Sequence, residues 1–336
     1  MTRTVALLGA TGYTGRLTAA ELERRGIPHR VAGRSKARLA EVPSTGERVV
    51  VDLDDPASLD ALLEGTDVLI SCVGPFALYG RPAVEAAVRT GTPYVDSTGE
   101  TGFMKDLYLR HRGAGPALVP ACGFDYIPGD LGVAVAVEEL GRRPEEVDVV
   151  YAMAGGGASK GTAKSILGML TSTPARLGRL SVPGLPDAVA LPWGELVTVP
   201  LHQPQAVVRT GIGAPALAGR AASVVGPVTP LAQKGLKLAT PLLSRLVERM
   251  PEGPSDDDRG KTRAETWSVV RSGSDEARVV VKVRDAYGMT ARFLVAASQQ
   301  IEGTGALATA EALDPRSFLD AMSYEDEGGS LEWRVL

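Results

Sequence analysis

Leu7-Leu8-Gly9-Ala10-Thr11-Gly12-Tyr13-Thr14-Gly15-Arg16-Leu17 decides how this chain is read. The apolar run Thr4–Leu8 precedes the three glycines, and a helix-period stretch, Gly15–Arg25, follows them. Gly9 lets the chain turn sharply out of a strand. Gly12 removes a Cβ where backbone must approach a pyrophosphate, and Gly15 lets the helix pack close to the sheet. The N–H groups of the helix start then face the phosphates, and the helix dipole favours their charge. Three glycines could equally join strand to helix with no ligand. Their place at the start of a strand–helix–strand unit favours the phosphate cradle, with Thr11, Tyr13 and Thr14 lining it.

Working outward, residues 1–130 alternate short apolar runs with helical patterns. Strands are expected at His29–Ala32, Arg48–Val51, Val68–Val73, Pro93–Asp96 and Ala117–Ala121, and helices at Ser58–Leu63, Pro82–Thr90 and Phe103–His111. That repetition predicts a doubly wound parallel sheet of the Rossmann type. A helix over Leu131–Leu140 leads into a different pattern. Val147–Met153, Leu196–Leu201, Ala206–Arg209, Thr266–Arg271 and Ala277–Arg284 read as strands of a mostly antiparallel sheet. Helices are expected at Ser165–Leu170, Leu231–Met250 (broken by Pro241), Met289–Ile301 and Asp314–Met322. The breaker-rich segment 251–262 reads as a mobile surface loop. The expected organisation is an α/β Rossmann domain over 1–130 and an α+β substrate or dimerisation domain over 131–336, with the C-terminal helices free to pack back on the first.

The end of the second strand selects the dinucleotide. An NAD site carries an acid there for the ribose 2′-OH. This chain has Arg34-Ser35-Lys36 instead. A guanidinium grips a 2′-phosphate with two hydrogen bonds, so NADP(H) is expected. Asp52, at the end of the third strand, is read either as an adenine contact or as a turn cap. Cys72, Val73, Gly74, Pro75 and Phe76 end the fourth strand, with Phe76 expected to wall the pocket. Gly99, Cys122 and Gly123 end the next two, at the crevice where open α/β sheets bind ligands.

Composition narrows the classes. The 336 residues are 44% hydrophobic and 23% charged, with a net charge of -4, enough apolar material for a sizeable core. No long basic run suggests nucleic acid. Neither a signal peptide nor a membrane span is read, and the two cysteines suit free thiols in a reducing cytoplasm. Three histidines and two cysteines show no metal-ligand spacing, so no metal is expected. No G-x-S-x-G elbow suggests a hydrolase. A small-molecule substrate, apolar or carrier-bound, is the expected partner, and the second sheet is a candidate homodimer surface.

Gly9-Ala-Thr-Gly-Tyr-Thr-Gly15, Ala32-Gly-Arg34, Val73-Gly-Pro-Phe76 with Tyr79-Gly80, Tyr94-Val-Asp-Ser-Thr-Gly-Glu100 and Cys122-Gly-Phe-Asp125 together resemble the saccharopine dehydrogenase-like oxidoreductases, closest to the bacterial trans-acting enoyl reductases. Ala154–Thr162 resembles that family's glycine-rich turn, and Pro251–Ser255 its late loop. The resemblance implies NADPH as hydride donor and reduction of a C=C (enoyl) or C=N (imine) bond. No arginine cluster for a dicarboxylic amino acid is found, which points to an acyl or secondary-metabolite substrate.

Reduction also needs a proton source. Tyr126, Asp125, Tyr79 and Lys160 are the candidates, with Lys164 and His202 behind them. Each has a plainer reading: the tyrosines as pocket wall, Asp125 as a cap, the lysines as solvated, His202 as structural. Two other functions stay open, a saccharopine-type amino-acid dehydrogenase and a non-catalytic NADP(H)-binding redox sensor.

Overall fold

A computed structural model describes residues 2–155, 159–164, 167, 178–185, 187–213, 229–325 and 329–336. The expected helix Ser165–Leu170 falls almost wholly outside them, as do Gly156 and Gly157. The chain divides into two compact units, one of residues 1–127 with 287–314, the other of 128–286 with 315–336.

The first unit is built on a seven-stranded sheet. Its strands are β1 (Val5–Leu8), β2 (His29–Gly33), β3 (Glu47–Val50), β4 (Val68–Ser71), β5 (Tyr94–Asp96), β6 (Ala117–Val119) and β13 (Gly305–Ala306), in the order β13-β6-β5-β4-β1-β2-β3. Every pairing is parallel. β1 and β4 are buried along their whole length. That is why Val5–Leu8 and Val68–Ile70 are continuous apolar runs rather than alternating ones. The order reverses beside β1, so the carboxyl ends of β1 and β4 flank the topological switch point where such sheets hold dinucleotides. The helices are α1 (Tyr13–Arg24), α2 (Lys36–Ala40), α3 (Pro56–Leu63), α4 (Phe76–Thr90) and α5 (Thr101–His111), and the next helix, α6 (Ile127–Leu140), falls in the second unit from Pro128 on.

α4 starts six residues before the expected Pro82. The Glu100 carboxylate accepts from the backbone N–H groups of Phe76 (2.8 Å) and Ala77 (2.9 Å), satisfying two donors that a helix start leaves open. Pro82 therefore lies inside the helix, where it removes one N–H···O bond without ending it. Residues 287–314 return to this unit. The helix Ala286–Gln300 buries Phe293, Leu294, Val295 and Ala297. Arg3 donates to the carbonyls of Ser298 (3.1 Å) and Ile301 (3.0 Å).

The second unit carries an eight-stranded sheet of β7 (Glu146–Ala154), β8 (Gly178–Leu180), β9 (Ala188–Ala190), β10 (Val207–Gly213), β11 (Arg263–Ser272), β12 (Asp275–Arg284), β14 (Tyr324–Glu325) and β15 (Ser330–Val335). Its order is β14-β15-β12-β11-β7-β10-β9-β8, antiparallel except for the β7–β10 pair. Two expectations are corrected here. Leu196–Leu201 is not a strand but part of the helix Glu195–His202. Its short run of Val, Thr and Leu suits a pleated surface equally well, and packing decides such runs. The supposed loop 251–262 contains the helix Asp256–Lys261. The Ser255 hydroxyl accepts from Asp258 N (3.2 Å), three acids fill the first turn, and Arg259 and Lys261 sit in the last. Each complements the dipole of a short helix.

Candidate functional site

The glycine turn closes on itself before any ligand is considered. Gly9 sits at φ +85°, and a Cβ there would lie 2.8 Å from Val73 Cγ2 and 2.9 Å from the Cys72 carbonyl carbon. A Cβ on Gly15 would lie 2.1 Å from the Gly9 oxygen. These two glycines are required by the protein's own atoms. Gly12 is not: a Cβ there would find its nearest atom, the Gly9 oxygen, at an ordinary 3.4 Å. The third glycine keeps a space clear at the N-cap of α1, the position at which backbone approaches a diphosphate. Gly9 N and Ala10 N both donate to the Ala32 carbonyl, at 3.0 and 3.1 Å, and this zips the turn to the end of β2. The Thr14 carbonyl accepts from Thr18 Oγ1 (2.9 Å), and the Tyr13 ring meets the edge of Tyr287 at 5.1 Å.

Cations gather beside this turn. Arg34 and Lys36 are exposed just past β2. The Ser35 hydroxyl accepts from Arg38 N (3.4 Å) and so caps α2. Arg38 donates from Nη2 to the Thr11 carbonyl (3.0 Å), and Arg16 Nε reaches the same oxygen at 3.4 Å. Neither Arg38 nor Arg16 stood out in the sequence. The signal for Arg38 was its spacing of four from Arg34 across a helix start. Asp52 serves its turn: its Oδ1 accepts from Asp54 N (3.0 Å), which supports the cap reading over the adenine contact.

At the end of β4 the Cys72 thiol lies 3.9 Å from Thr18 Oγ1, and burial pushes it up to about 12, so it stays a thiol. Val73, Gly74 and Pro75 keep solvent access. Phe76 is buried, packed on Phe103 at 5.6 Å, where it opens α4. Tyr79 is exposed on α4.

Asp96 organises the tips of β5 and β6. Its Oδ1 accepts from Thr98 N (2.9 Å) and Ala121 N (2.8 Å), and its Oδ2 from Tyr94 OH (2.7 Å). Full burial pushes this carboxyl up to about 6 despite those bonds. Ala121 is held at φ +63° beside it. Cys122 Sγ lies 3.3 Å from the Val119 carbonyl. The Gly123 carbonyl accepts from Ile127 N (3.0 Å), and Phe124 N donates to Thr290 Oγ1 (3.1 Å). Tyr126 is buried, and its hydroxyl donates to the Gly99 carbonyl (2.7 Å), fixing the loop after β5. Asp125 projects next to that loop; a Cβ on Gly99 would sit 3.6 Å from its Oδ2. Solvent reaches Asp125 even though protein atoms crowd it, and desolvation pushes its carboxyl up to about 6.

The remaining candidates belong to the second unit. Lys160 Nζ pairs with Glu252 at 3.6 Å and Lys164 Nζ with Glu248 at 2.6 Å. His202 Nε2 lies 3.1 Å from Oδ1 of the fully buried Asp130. Tyr151 donates to Glu195, also fully buried. Among the described residues no group of three His, Cys, Asp or Glu is placed to hold a metal.

Comparison with known proteins accords with the geometry of the first unit. Residues 5–117 match the family model for the saccharopine dehydrogenase NADP binding domain. A trans-acting enoyl reductase of Mycobacterium leprae is 39% identical over 142 residues, 38% of this chain and 34% of that protein. Rv2449c of Mycobacterium tuberculosis is 37% identical over 185 residues, 50% of this chain and 44% of its own. The matched stretch thus spans less than half the length of these relatives. Saccharopine dehydrogenase (L-Glu forming) from Saccharomyces cerevisiae superposes over 99% of this chain and 100% of its own, with a TM-score of 0.63 at 15% identity. That likeness concerns the fold. Residues 5–117 are thus similar to the NADP binding domain of saccharopine dehydrogenases.

Proposed function

We propose that this chain, whose first unit is an NADP-binding domain, is an NADPH-dependent reductase that adds hydride and a proton across the C=C bond of an acyl substrate. The observation that carries the reading is the cradle itself. Gly12 keeps a space open that the protein's own packing does not need, next to four cations, in a chain 39% identical over 142 residues to a trans-acting enoyl reductase.

The residues present fit the dinucleotide. The N-terminus of α1, Thr11 and Gly12 would hold the diphosphate. Arg34 and Lys36 would hold the 2′-phosphate, and Arg38 would keep the Thr11 carbonyl turned from it. Val73, Gly74, Gly99, Cys122 and Gly123 would frame the reactive ring at the strand ends. NADPH, when bound, would supply the hydride. The protein then has to place the acceptor and deliver a proton to the α carbon. Asp125 is the proton carrier we favour, because it lies beside the Gly99 loop, is open to solvent and has its carboxyl raised by the crowding of protein atoms. Tyr126 is a positioning residue whose hydroxyl is committed to Gly99. Tyr79, exposed, and Lys160, paired with Glu252, are assigned no step.

The test is NADPH oxidation by the purified chain against α,β-unsaturated acyl thioesters, carried on coenzyme A and on a carrier protein, beside cyclic imines and amino acid–keto acid pairs. Turnover confined to the enoyl acceptors is expected. Turnover of imines alone, or tight NADPH binding with no acceptor consumed, would sink the enoyl reading.

A further inference from the structure

Asp96 commits a whole carboxylate to the chain's own loops. It is fully buried at the end of β5, and its two oxygens take three neutral donors: Tyr94 OH at 2.7 Å, Thr98 N at 2.9 Å and Ala121 N at 2.8 Å. Burying an ionisable group costs stability, and what it provides here is a grip on loop backbone about twice as strong as a neutral side chain would give. Ala121 meets it at φ +63°, a left-handed conformation that alanine seldom adopts. Such outliers gather at functional sites, where the surrounding structure holds them in place.

From this carboxylate the bonds run outward to three loops. Cys122 N donates to the Asp96 carbonyl at 2.7 Å, which together with the Ala121 bond fixes the turn after β6. Thr98 Oγ1 accepts from Glu100 N at 3.1 Å, and the Glu100 carboxylate holds Phe76 N and Ala77 N at the head of α4, directly after Val73-Gly74-Pro75. Between Thr98 and Glu100 lies Gly99, whose carbonyl accepts from Tyr126 OH at 2.7 Å. One carboxylate thus stands at the root of the loops that follow β4, β5 and β6. These are the strand ends assigned above to the reactive ring of the dinucleotide. The glycine turn and the cations assigned to the 2′-phosphate follow β1 and β2 instead. A disturbance at Asp96 would reach the nicotinamide half and spare the adenine half.

We propose that Asp96 is a positioning residue that sets the nicotinamide half of the dinucleotide site, acting through the backbone of Thr98 and Ala121. This role rests on the dinucleotide site proposed above and not on the acceptor, so it stands whichever bond is reduced.

Calorimetry of the full chain with NADPH and with 2′-phospho-ADP-ribose, which lacks the nicotinamide, separates the two halves. Asp96→Ala is expected to bind NADPH roughly tenfold more weakly, the scale of one hydrogen bond to a charged group, and to bind the fragment as the parent does. The parent chain supplies a second measurement. Burial pushes the Asp96 carboxyl up to about 6, so the carboxylate is present above that pH and is lost below it. The preference for NADPH over the fragment should therefore shrink as pH falls through that value. The 2′-phosphate also titrates, but both ligands carry it and it cancels in the ratio. The other titratable groups around Asp96 are Tyr94, Cys72 and Glu100, with Asp125 beside Gly99. The pH limb is expected to vanish in Asp96→Asn and to persist in Asp125→Asn. If Asp96→Ala loses the fragment as well, through misfolding, the pH series decides. An unchanged ratio in a folded Asp96→Ala, a ratio flat with pH in the parent, or a limb that disappears only in Asp125→Asn overturns the proposal. A parent chain that binds neither ligand overturns the dinucleotide site itself, and this role with it.

Discussion

On the proposed reading, the chemistry turns on Arg34 and Asp125. Replacing Arg34 by Asp removes a charge-assisted grip and sets a like charge against the 2′-phosphate. NADPH affinity should fall roughly 10- to 100-fold while NADH affinity changes little, measured by calorimetry. Equal losses for both dinucleotides would refute the role. Arg38 acts one step back, through the Thr11 carbonyl, so Arg38→Ala should weaken NADPH and NADH alike. For Asp125 the sign follows from its environment. Desolvation raises the carboxyl, so the neutral acid persists up to about pH 6 and is lost above it. If it donates the proton, the chemical step should slow by roughly tenfold per pH unit above that value. Asp125→Asn should be slow at every pH and lose that limb. A rate profile unchanged in Asp125→Asn would remove it from the reaction.

At the level of elements, the turn between β1 and α1 is built by close approach. Gly15→Ala would place a methyl 2.1 Å from the Gly9 oxygen, and the helix would have to back away from the strand. A loss of about 1–3 kcal/mol in stability is expected, together with weaker binding of both dinucleotides, because the cradle itself moves. Thermal denaturation and a binding titration check the two parts. Gly12→Ala makes the contrast. Its Cβ meets only an ordinary contact, so stability should hold while dinucleotide affinity falls. A Gly12→Ala protein that binds NADPH as before would show that the open space serves no ligand.

For the whole molecule, the return of residues 287–314 has a consequence. β13 pairs with β6, the helix before it fills one side of the first unit, and Arg112 pairs with Glu311 at 2.6 Å. A fragment of residues 1–130 would expose the surface that Phe293, Leu294 and Val295 cover. It should melt without cooperativity and bind NADPH poorly beside the full chain, as followed by circular dichroism and titration. A fragment that melts sharply at the full chain's midpoint would show the returning segment to be dispensable.

The parallel sheet, the glycine turn and the cationic end of β2 were legible in the chain's order of residues, because each depends on neighbours within a few positions: apolar runs, glycine spacing, a missing acid. What lay beyond local reading was set by residues far apart in sequence. Glu100 reaches back to start α4 at Phe76, Phe103 draws Phe76 inward, and Asp96 ties two strand tips. The Val-Thr-Leu run at 196–201 became helix rather than strand because short apolar segments take their form from what they pack against. Sequence patterns report the backbone's local preferences and the periodicity of burial. Only the folded chain decides which distant side chain completes a cap or turns an aromatic ring into the core.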